Sequence, residues 1–169
     1  MRRTGPVSRA GVIADAGVRY VMLRADVLMG IAHELPRDDA VRFLEALRQS
    51  AFRHSQGSFQ QYRDAGLFAE RDILTEMGKV AAELGWGVWK ISNENRREWT
   101  VEVHNSPFAV GHGNAVYPVC SAICGVLQAI TLVGYGERTT VRETICGAQV
   151  GGPRCEFQIL RDNGGSSGK

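Results

Sequence analysis

The stretch WGVWKISNENRREWTVEVH, residues 86–104, decides the fold because the spacing of its apolar side chains changes here from helical to alternating. Strands are predicted at residues 86–92 and 98–104, with Asn93-Glu94-Asn95 in the turn between them. In the second strand one face carries only apolar side chains, since residues two apart point the same way. These side chains are Trp99, Val101 and Val103. The pattern predicts an antiparallel hairpin with one buried face.

Helices are predicted before this hairpin, after a short strand at residues 19–23. The first runs over residues 26–35, where Pro36 ends it, and the second runs from Asp38 or Asp39 to about Gly66. The long second helix has one inward stripe at helical spacing. The stripe consists of Val41, Leu44, Leu47, Ala51, Ser55, Phe59 and Tyr62. A third helix is predicted over residues 69–84.

After the hairpin, a turn-rich loop is predicted over residues 105–115. A proline-initiated apolar helix then runs from about Pro118 to Gly134, and strands follow at residues 139–145 and 155–160. Helices therefore come first and an antiparallel sheet with one inserted helix comes second. This order favours an α+β fold, with N-terminal helices packed on the sheet, over a parallel doubly wound sheet.

The chain is expected to form one domain. Its 169 residues suit a single core, taken as residues 11–162, with a loose N-terminus at 1–10 and a disordered Gly/Ser-rich tail at 163–169. A formal net charge of +2 does not indicate nucleic acid or a membrane surface as a partner. Without a signal-peptide core or a membrane-length apolar run, we expect a cytoplasmic protein.

The closing strands place ionisable side chains on faces that are otherwise apolar. Glu143 shares its face with Val141 and Ile145, and an unpaired buried carboxylate there would be costly. In the last strand, Cys155 shares the inward face with Phe157 and Ile159. Possible ligands therefore lie on the inward faces of neighbouring strands.

Two more cysteines are predicted nearby. Cys146 follows the end of its strand, and Cys120 lies in the first turn of the preceding helix. Three thiolates and the Glu143 carboxylate form a reasonable tetrahedral zinc set, and a set filled by protein ligands is structural rather than catalytic. The residues alone leave alternatives open: buried core cysteines, a disulfide between Cys146 and Cys155, or Cys124 replacing Glu143 as a ligand.

Aromatic side chains around the hairpin suggest a small-molecule pocket, since aromatic walls are typical of such sites. An alternative interpretation is that these aromatic side chains simply pack in the core. The candidate ligand-binding residues are Trp99, Phe108, Val101 and Val103, with Phe59, Tyr62 and Met77 closing the cavity from the helices. Gly111-His112-Gly113 is read as a surface turn or a ligand-gating loop, and His54 as a surface or interface residue.

Five stretches of the second half are distinctive: Asn105-Ser106-Pro107-Phe108-Ala109, Pro118-Val119-Cys120, Gly125-Val126-Leu127, Glu143-Thr144-Ile145-Cys146, and residues 151–157. Together they resemble the 4-vinyl reductase domain, a small-molecule-binding domain of bacteria and archaea. The resemblance implies an α+β fold related to subunits of the TRAPP transport complex and to haem-based nitric oxide sensors, and usually a homodimer. The same domain senses effectors in phenol- and xylene-responsive activators, whose zinc ligands match Cys120, Glu143, Cys146 and Cys155.

Three functions follow as hypotheses. The first is a dimeric, non-enzymatic sensor that binds a small apolar or aromatic molecule, contains structural zinc and acts on an effector. The second, implied by the family name, is an enzyme or carrier for a vinyl-bearing tetrapyrrole, although no GxGxxG motif follows a strand. The third is a protein-interaction module without a ligand.

Overall fold

The computed structural model describes residues 7–15, 18–64, 66, 73–95 and 98–162. Its α+β architecture confirms the predicted fold class. The helices are α1 Ala25–Gly30, α2 Arg37–Asp64, α3 Ile73–Glu83, α4 Pro107–His112, α5 Ser121–Tyr135 and α6 Gly147–Val150, with a 3₁₀ turn at Ile31–His33. The strands are β1 Val7–Arg9, β2 Val12–Asp15, β3 Val18–Tyr20, β4 Val88–Asn95, β5 Glu98–His104, β6 Thr139–Ile145 and β7 Arg154–Arg161. Within these described residues, no helix is long and apolar enough to span a bilayer.

The main sheet has four antiparallel strands in the order β4-β5-β7-β6. The register places Val101 opposite Phe157, and Ile159 opposite Val141. These cross-strand pairs lie on one buried face, because side chains two apart point the same way. The face forms one side of the core, and α5 packs on the core between the sheet and α2.

Close packing of α5 against α2 depends on a glycine. A Cβ atom built on Gly125 would lie 2.2 Å from the carbonyl oxygen of Arg48 on α2. Real Cβ atoms do not approach backbone this closely, so the absence of a side chain lets the two helices meet. Gly57 on α2 differs, since a Cβ atom there would meet nothing within 4 Å.

We predict that Gly125→Ala lowers the free energy of unfolding by about 1–3 kcal/mol, because the added methyl group must push α2 and α5 apart. Gly57→Ala is the matched control and should raise that free energy by up to about 1 kcal/mol, since alanine favours a helix interior. Urea denaturation of both variants measures the difference. A neutral or stabilising Gly125→Ala would contradict the proposed role of the close approach.

The structure differs from the sequence predictions at several element boundaries. Strand β4 continues to Asn95 through a bulge, so Asn93–Asn95 is not the turn that was expected. The loop predicted at residues 105–115 contains α4, because Ser106 caps the helix through its side chain and Pro107 occupies a first-turn position. Pro118 precedes α5 rather than starting it, and Cys120 is the N-cap residue.

The N-terminal half also departs from prediction. A separate three-stranded sheet, β1-β2-β3, precedes α1, and β1 falls in the segment expected to be loose. The predicted strand at residues 19–23 ends at Tyr20, and α1 is shorter than expected because it tightens into the 3₁₀ turn. Residues 69–72 of the predicted third helix, residues 1–6 and the tail at 163–169 lie outside the described residues.

Two histidines join the 3₁₀ turn to α4. The His33 and His112 ring centroids lie 4.3 Å apart, and the His33 Nε2 atom lies 2.9 Å from the His112 carbonyl oxygen. His112 is buried, and neither of its ring nitrogens has a hydrogen-bond partner among the described residues. Burial, followed by the nearby His33, lowers the pKa of His112 below its ordinary value of 6.5. The segment read as a surface turn or gating loop therefore contains the end of α4, with His112 buried and the C-cap Gly113 exposed.

This burial predicts a pH dependence of stability. Because the folded-state pKa of His112 is lowered, its neutral form stabilises the fold above pH 6.5, and that contribution is lost as pH falls through the folded-state pKa. His112→Phe should flatten the loss of stability below pH 6.5, by at most about 1.4 kcal/mol per pH unit relative to wild type. Thermal denaturation from pH 7 downward tests this, and parallel profiles of the two proteins would contradict it.

Candidate metal centre and ligand cavity

Four side chains from three parts of the chain meet at the start of α5. Cys120 is the N-cap of α5, Glu143 lies near the end of β6, Cys146 is the N-cap of α6, and Cys155 lies at the start of β7. One possible ligand atom from each lies within 4.8 Å of every other. The structure thus brings together the four residues that the sequence suggested as ligands.

The sulfur spacing suits a metal ion rather than a disulfide. The Cys120 and Cys155 Sγ atoms lie 3.6 Å apart, far beyond the S–S bond of about 2.05 Å. Two sulfurs bound tetrahedrally to zinc at about 2.3 Å would lie about 3.8 Å apart. All four cysteines are free thiols, so the alternative disulfide between Cys146 and Cys155 is not formed.

Surrounding groups fix these side chains in place. The Cys155 Sγ atom accepts a hydrogen bond from the Gly147 backbone N–H at 3.2 Å, and the Ser106 Oγ atom lies 3.2 Å from the Cys120 Sγ atom. The Cys120 backbone N–H donates to Glu143 Oε2 at 2.9 Å. Such outer contacts orient metal ligands and support thiolate charge.

The electrostatics of the cluster favour a cation. Burial, followed by the charge of Cys146, raises the pKa of the Glu143 carboxyl to about 8. The Glu143 Oε1 atom is buried and has no hydrogen-bond partner in the described part of the chain. Hydrogen bonds from Cys120 and Cys155 lower the pKa of the Cys146 thiol. A buried carboxylate beside a thiolate is costly without a positive charge, so the donor set fits a metal ion.

Cys124 lies one turn into α5 and is buried, but it is not part of this cluster. Burial raises the pKa of its thiol to about 12, which keeps the thiol protonated. Of the two candidates for the fourth ligand, the structure therefore places Glu143 in the cluster.

A separate cavity of about 410 Å³ lies between β3, α2, α3 and α5. Its buried wall is mainly apolar and its size falls within the range of about 300–1,000 Å³ that is usual for small-molecule pockets. The apolar lining residues are Val18, Phe59, Met77, Val80, Ala81, Leu84, Trp86, Val126 and Ile130. Phe59, Tyr62 and Met77, which were suggested from the sequence, line this cavity.

The other suggested pocket residues lie elsewhere. Val101 and Val103 are fully buried in the core. Trp99 stacks on the Tyr135 ring with centroids 5.5 Å apart, and the Arg161 guanidinium lies 5.2 Å from the centroid of the Trp99 ring. Phe108 packs edge-on against Trp86, which does line the cavity. The face pattern of β5 identified inward side chains, but it did not separate core from cavity wall.

Sequence reasoning missed a polar part of the lining. Tyr20, His54, Ser55, Ser58 and Gln61 line the cavity beside Tyr62. The helical spacing of His54, Ser58 and Gln61 beside the inward stripe was the available signal, but such spacing also describes a solvated helix face.

Tyr62 connects the cavity to the N-terminal sheet. Its hydroxyl donates to Asp15 Oδ2 at 2.8 Å, and Asp15 is a buried carboxylate at the end of β2. The Tyr20 hydroxyl lies 3.5 Å from the Tyr62 hydroxyl, and Val18 and Tyr20 line the cavity from β3. The N-terminal sheet is therefore one wall of the cavity.

No protein-family model matches the sequence, and a search of curated proteins finds no match. Solved structures do match. The phenol-responsive sensory domain of the transcription activator PoxR, solved with phenol, has a TM-score of 0.79 at 16% identity, covering 92% of this chain and 84% of that chain.

More distant matches follow. A vinyl-4-reductase family protein from Methanocaldococcus jannaschii has a TM-score of 0.54 at 15% identity, covering 82% of this chain and 91% of that chain. A trafficking protein particle complex subunit 3 from Naegleria fowleri, covalently bound to palmitic acid, has a TM-score of 0.54 at 10% identity, covering 82% and 95%. The likeness predicted from the sequence motifs is thus confirmed as a likeness of fold: this chain has the α+β fold of the PoxR sensory domain and the vinyl-4-reductase family protein.

Proposed function

We propose that this chain is a small-molecule sensor domain that binds an apolar or aromatic molecule in the cavity between β3, α2, α3 and α5. The observation that carries the proposal is the cavity itself, about 410 Å³ in volume, with a buried apolar wall. When an apolar molecule fills such a cavity, the apolar wall is removed from contact with water, and this stabilises the complex. The fold shared with a phenol-responsive sensory domain supports the same function.

Structural zinc at Cys120, Glu143, Cys146 and Cys155 is the second part of the proposal. Support comes from the sulfur spacing, from the orphaned Glu143 Oε1 atom and from the four protein donors, which leave no coordination position for substrate. When bound, the ion would supply a cross-link between α5, β6, α6 and β7. A cytoplasmic location, where thiols stay reduced, would keep these cysteines available to zinc.

We predict about one zinc per wild-type chain by elemental analysis, since the four donors complete one tetrahedral shell. Cys155→Ser should lose the ion or release it readily to a chelator, and its melting temperature should fall. The matched control is Cys124→Ser, which changes a buried thiol outside the cluster and should keep the zinc. Wild-type protein that is folded and metal-free, after purification shown not to strip zinc, would disprove this part of the proposal.

The ligand prediction is tested by thermal shift with phenol, toluene and larger aromatic compounds. A compound that binds the cavity should raise the melting temperature with concentration, and it should stabilise the fold by about 2.7 kcal/mol at 100 times its Kd. Ala81→Met is the control, because it adds a flexible side chain at a residue that lines the cavity. Shifts that are equal in this variant would place binding elsewhere, and no shift with any compound would contradict a sensor of aromatic molecules.

A homodimer acting on an effector completes the proposal. Three consecutive apolar side chains between β3 and α1 are strongly exposed, namely Val21 at 84%, Met22 at 85% and Leu23 at 52%. An exposed apolar run of this kind is typical of a surface that packs against another chain. Because the run directly follows β3, which lines the cavity, a change in ligand occupancy could reach the partner through it.

A further inference from the structure

Gly57 lies inside α2 without a packing reason. The helix spans 28 residues, and a Cβ atom on Gly57 would meet no atom of the described residues within 4 Å. Gly125 and Gly134 of α5 differ, because a Cβ atom there would clash with Arg48 or Ile73. Glycine weakens a helix interior, so the fold itself gains nothing from the missing side chain at position 57.

The position of Gly57 relates it to the cavity. It is exposed and also lines the cavity, so it lies at the opening. His54 and Gln61 are exposed on the same helix face, three residues before and four residues after it. We call His54, Gly57, Ser58 and Gln61 the mouth of the cavity. All four line it.

The mouth and the deeper wall differ in chemistry. The mouth offers hydroxyl, amide and imidazole groups, whereas the floor is formed by apolar residues. The floor residues are Met77, Ala81, Val126 and Ile130, each at most 8% exposed. Among the described residues that line the cavity, none is Arg, Lys, Asp or Glu. An ionised group held against the floor would therefore lose hydration without gaining an opposite charge, because the imidazole of His54 lies at the mouth.

We infer that the cavity takes an uncharged molecule with an apolar body and one hydrogen-bonding group, and that Gly57 sets the size of ligand that enters. The apolar body lies on the floor, and the hydrogen-bonding group stays at the mouth beside Ser58 and Gln61. The missing side chain keeps the opening clear. This inference rests on the proposed sensor function and adds to it the ligand class and a specificity-determining residue.

The test uses isothermal titration calorimetry of the full chain with two bicyclic probes, 1-naphthol and 1-naphthoate. At pH 7 the carboxylate is ionised and the aromatic hydroxyl is not. Wild type should bind 1-naphthol at least about tenfold more tightly than 1-naphthoate, a ratio equal to about 1.4 kcal/mol. Equal affinity for the two probes would overturn the ligand class.

Substitutions at position 57 test the mouth. Gly57→Ala should bind 1-naphthol about threefold more weakly than wild type, and Gly57→Phe at least about tenfold more weakly, because a larger side chain obstructs the opening further. Gln49→Phe places the same ring on an exposed part of α2 outside the cavity lining and should bind like wild type. Melting curves of all three variants establish that they are folded.

The outcomes separate this inference from the sensor function. If Gly57→Phe binds 1-naphthol as wild type does, the role of Gly57 is overturned, while cavity binding that is lost in Ala81→Met still supports the sensor. If wild type binds neither probe and no aromatic compound shifts its melting temperature, both the sensor function and this inference fail. If wild type responds to other compounds but binds neither probe, only this inference fails.

Discussion

The structure depends on the burial of α5 between the sheet and α2. Almost every residue from Ala122 to Thr131 is buried, so this helix needs packing partners around most of its circumference. Gly125 allows α2 to approach from one side, and strands β6 and β7 of the main sheet cover another. Thr131 is a buried polar residue on α5, and its hydroxyl forms hydrogen bonds within the core. Its Oγ1 atom lies 2.7 Å from the Thr139 Oγ1 atom and also donates to the Leu127 carbonyl oxygen.

The same helix connects the two candidate sites. Its N-cap, Cys120, belongs to the cysteine–glutamate cluster, and Val126 and Ile130, further along, form part of the cavity floor. A metal ion at the cluster would fix the start of α5 to β6, α6 and β7. It would thereby hold the floor in place while the opposite wall, made by β3 and the second half of α2, responds to a ligand. The fixed and responsive parts of the cavity would then come from different ends of the chain.

The sequence predicted those features that follow from local periodicity. The α+β order, the long α2 and the closing strands could be read from apolar spacing, because strands and helices that bury one face show it directly. The cluster of Cys120, Glu143, Cys146 and Cys155 was also accessible, since a carboxylate and thiols on inward faces demand partners. The boundaries of helices and strands were harder to predict from the sequence. Strand β4 runs on through a bulge at residues 93–95, and α4 depends on a Ser-Pro cap inside a glycine-rich stretch.

The cavity could not be predicted from apolar spacing. Alternation along a strand shows which side chains point inward, but it does not show whether other side chains pack against them or leave a cavity. Val101 and Val103 have the same inward pattern as a pocket wall, yet both are fully buried in the core. The cavity forms instead where α5 and α3 leave space beside α2, which is a property of how three helices are spaced. The sequence feature that we relate to the cavity is Gly57, a glycine in a helix interior. Its relation to the cavity can be recognised only when the residues around it in the structure are known. The aromatic residue on β5, Trp99, packs instead on Tyr135 and does not line the cavity.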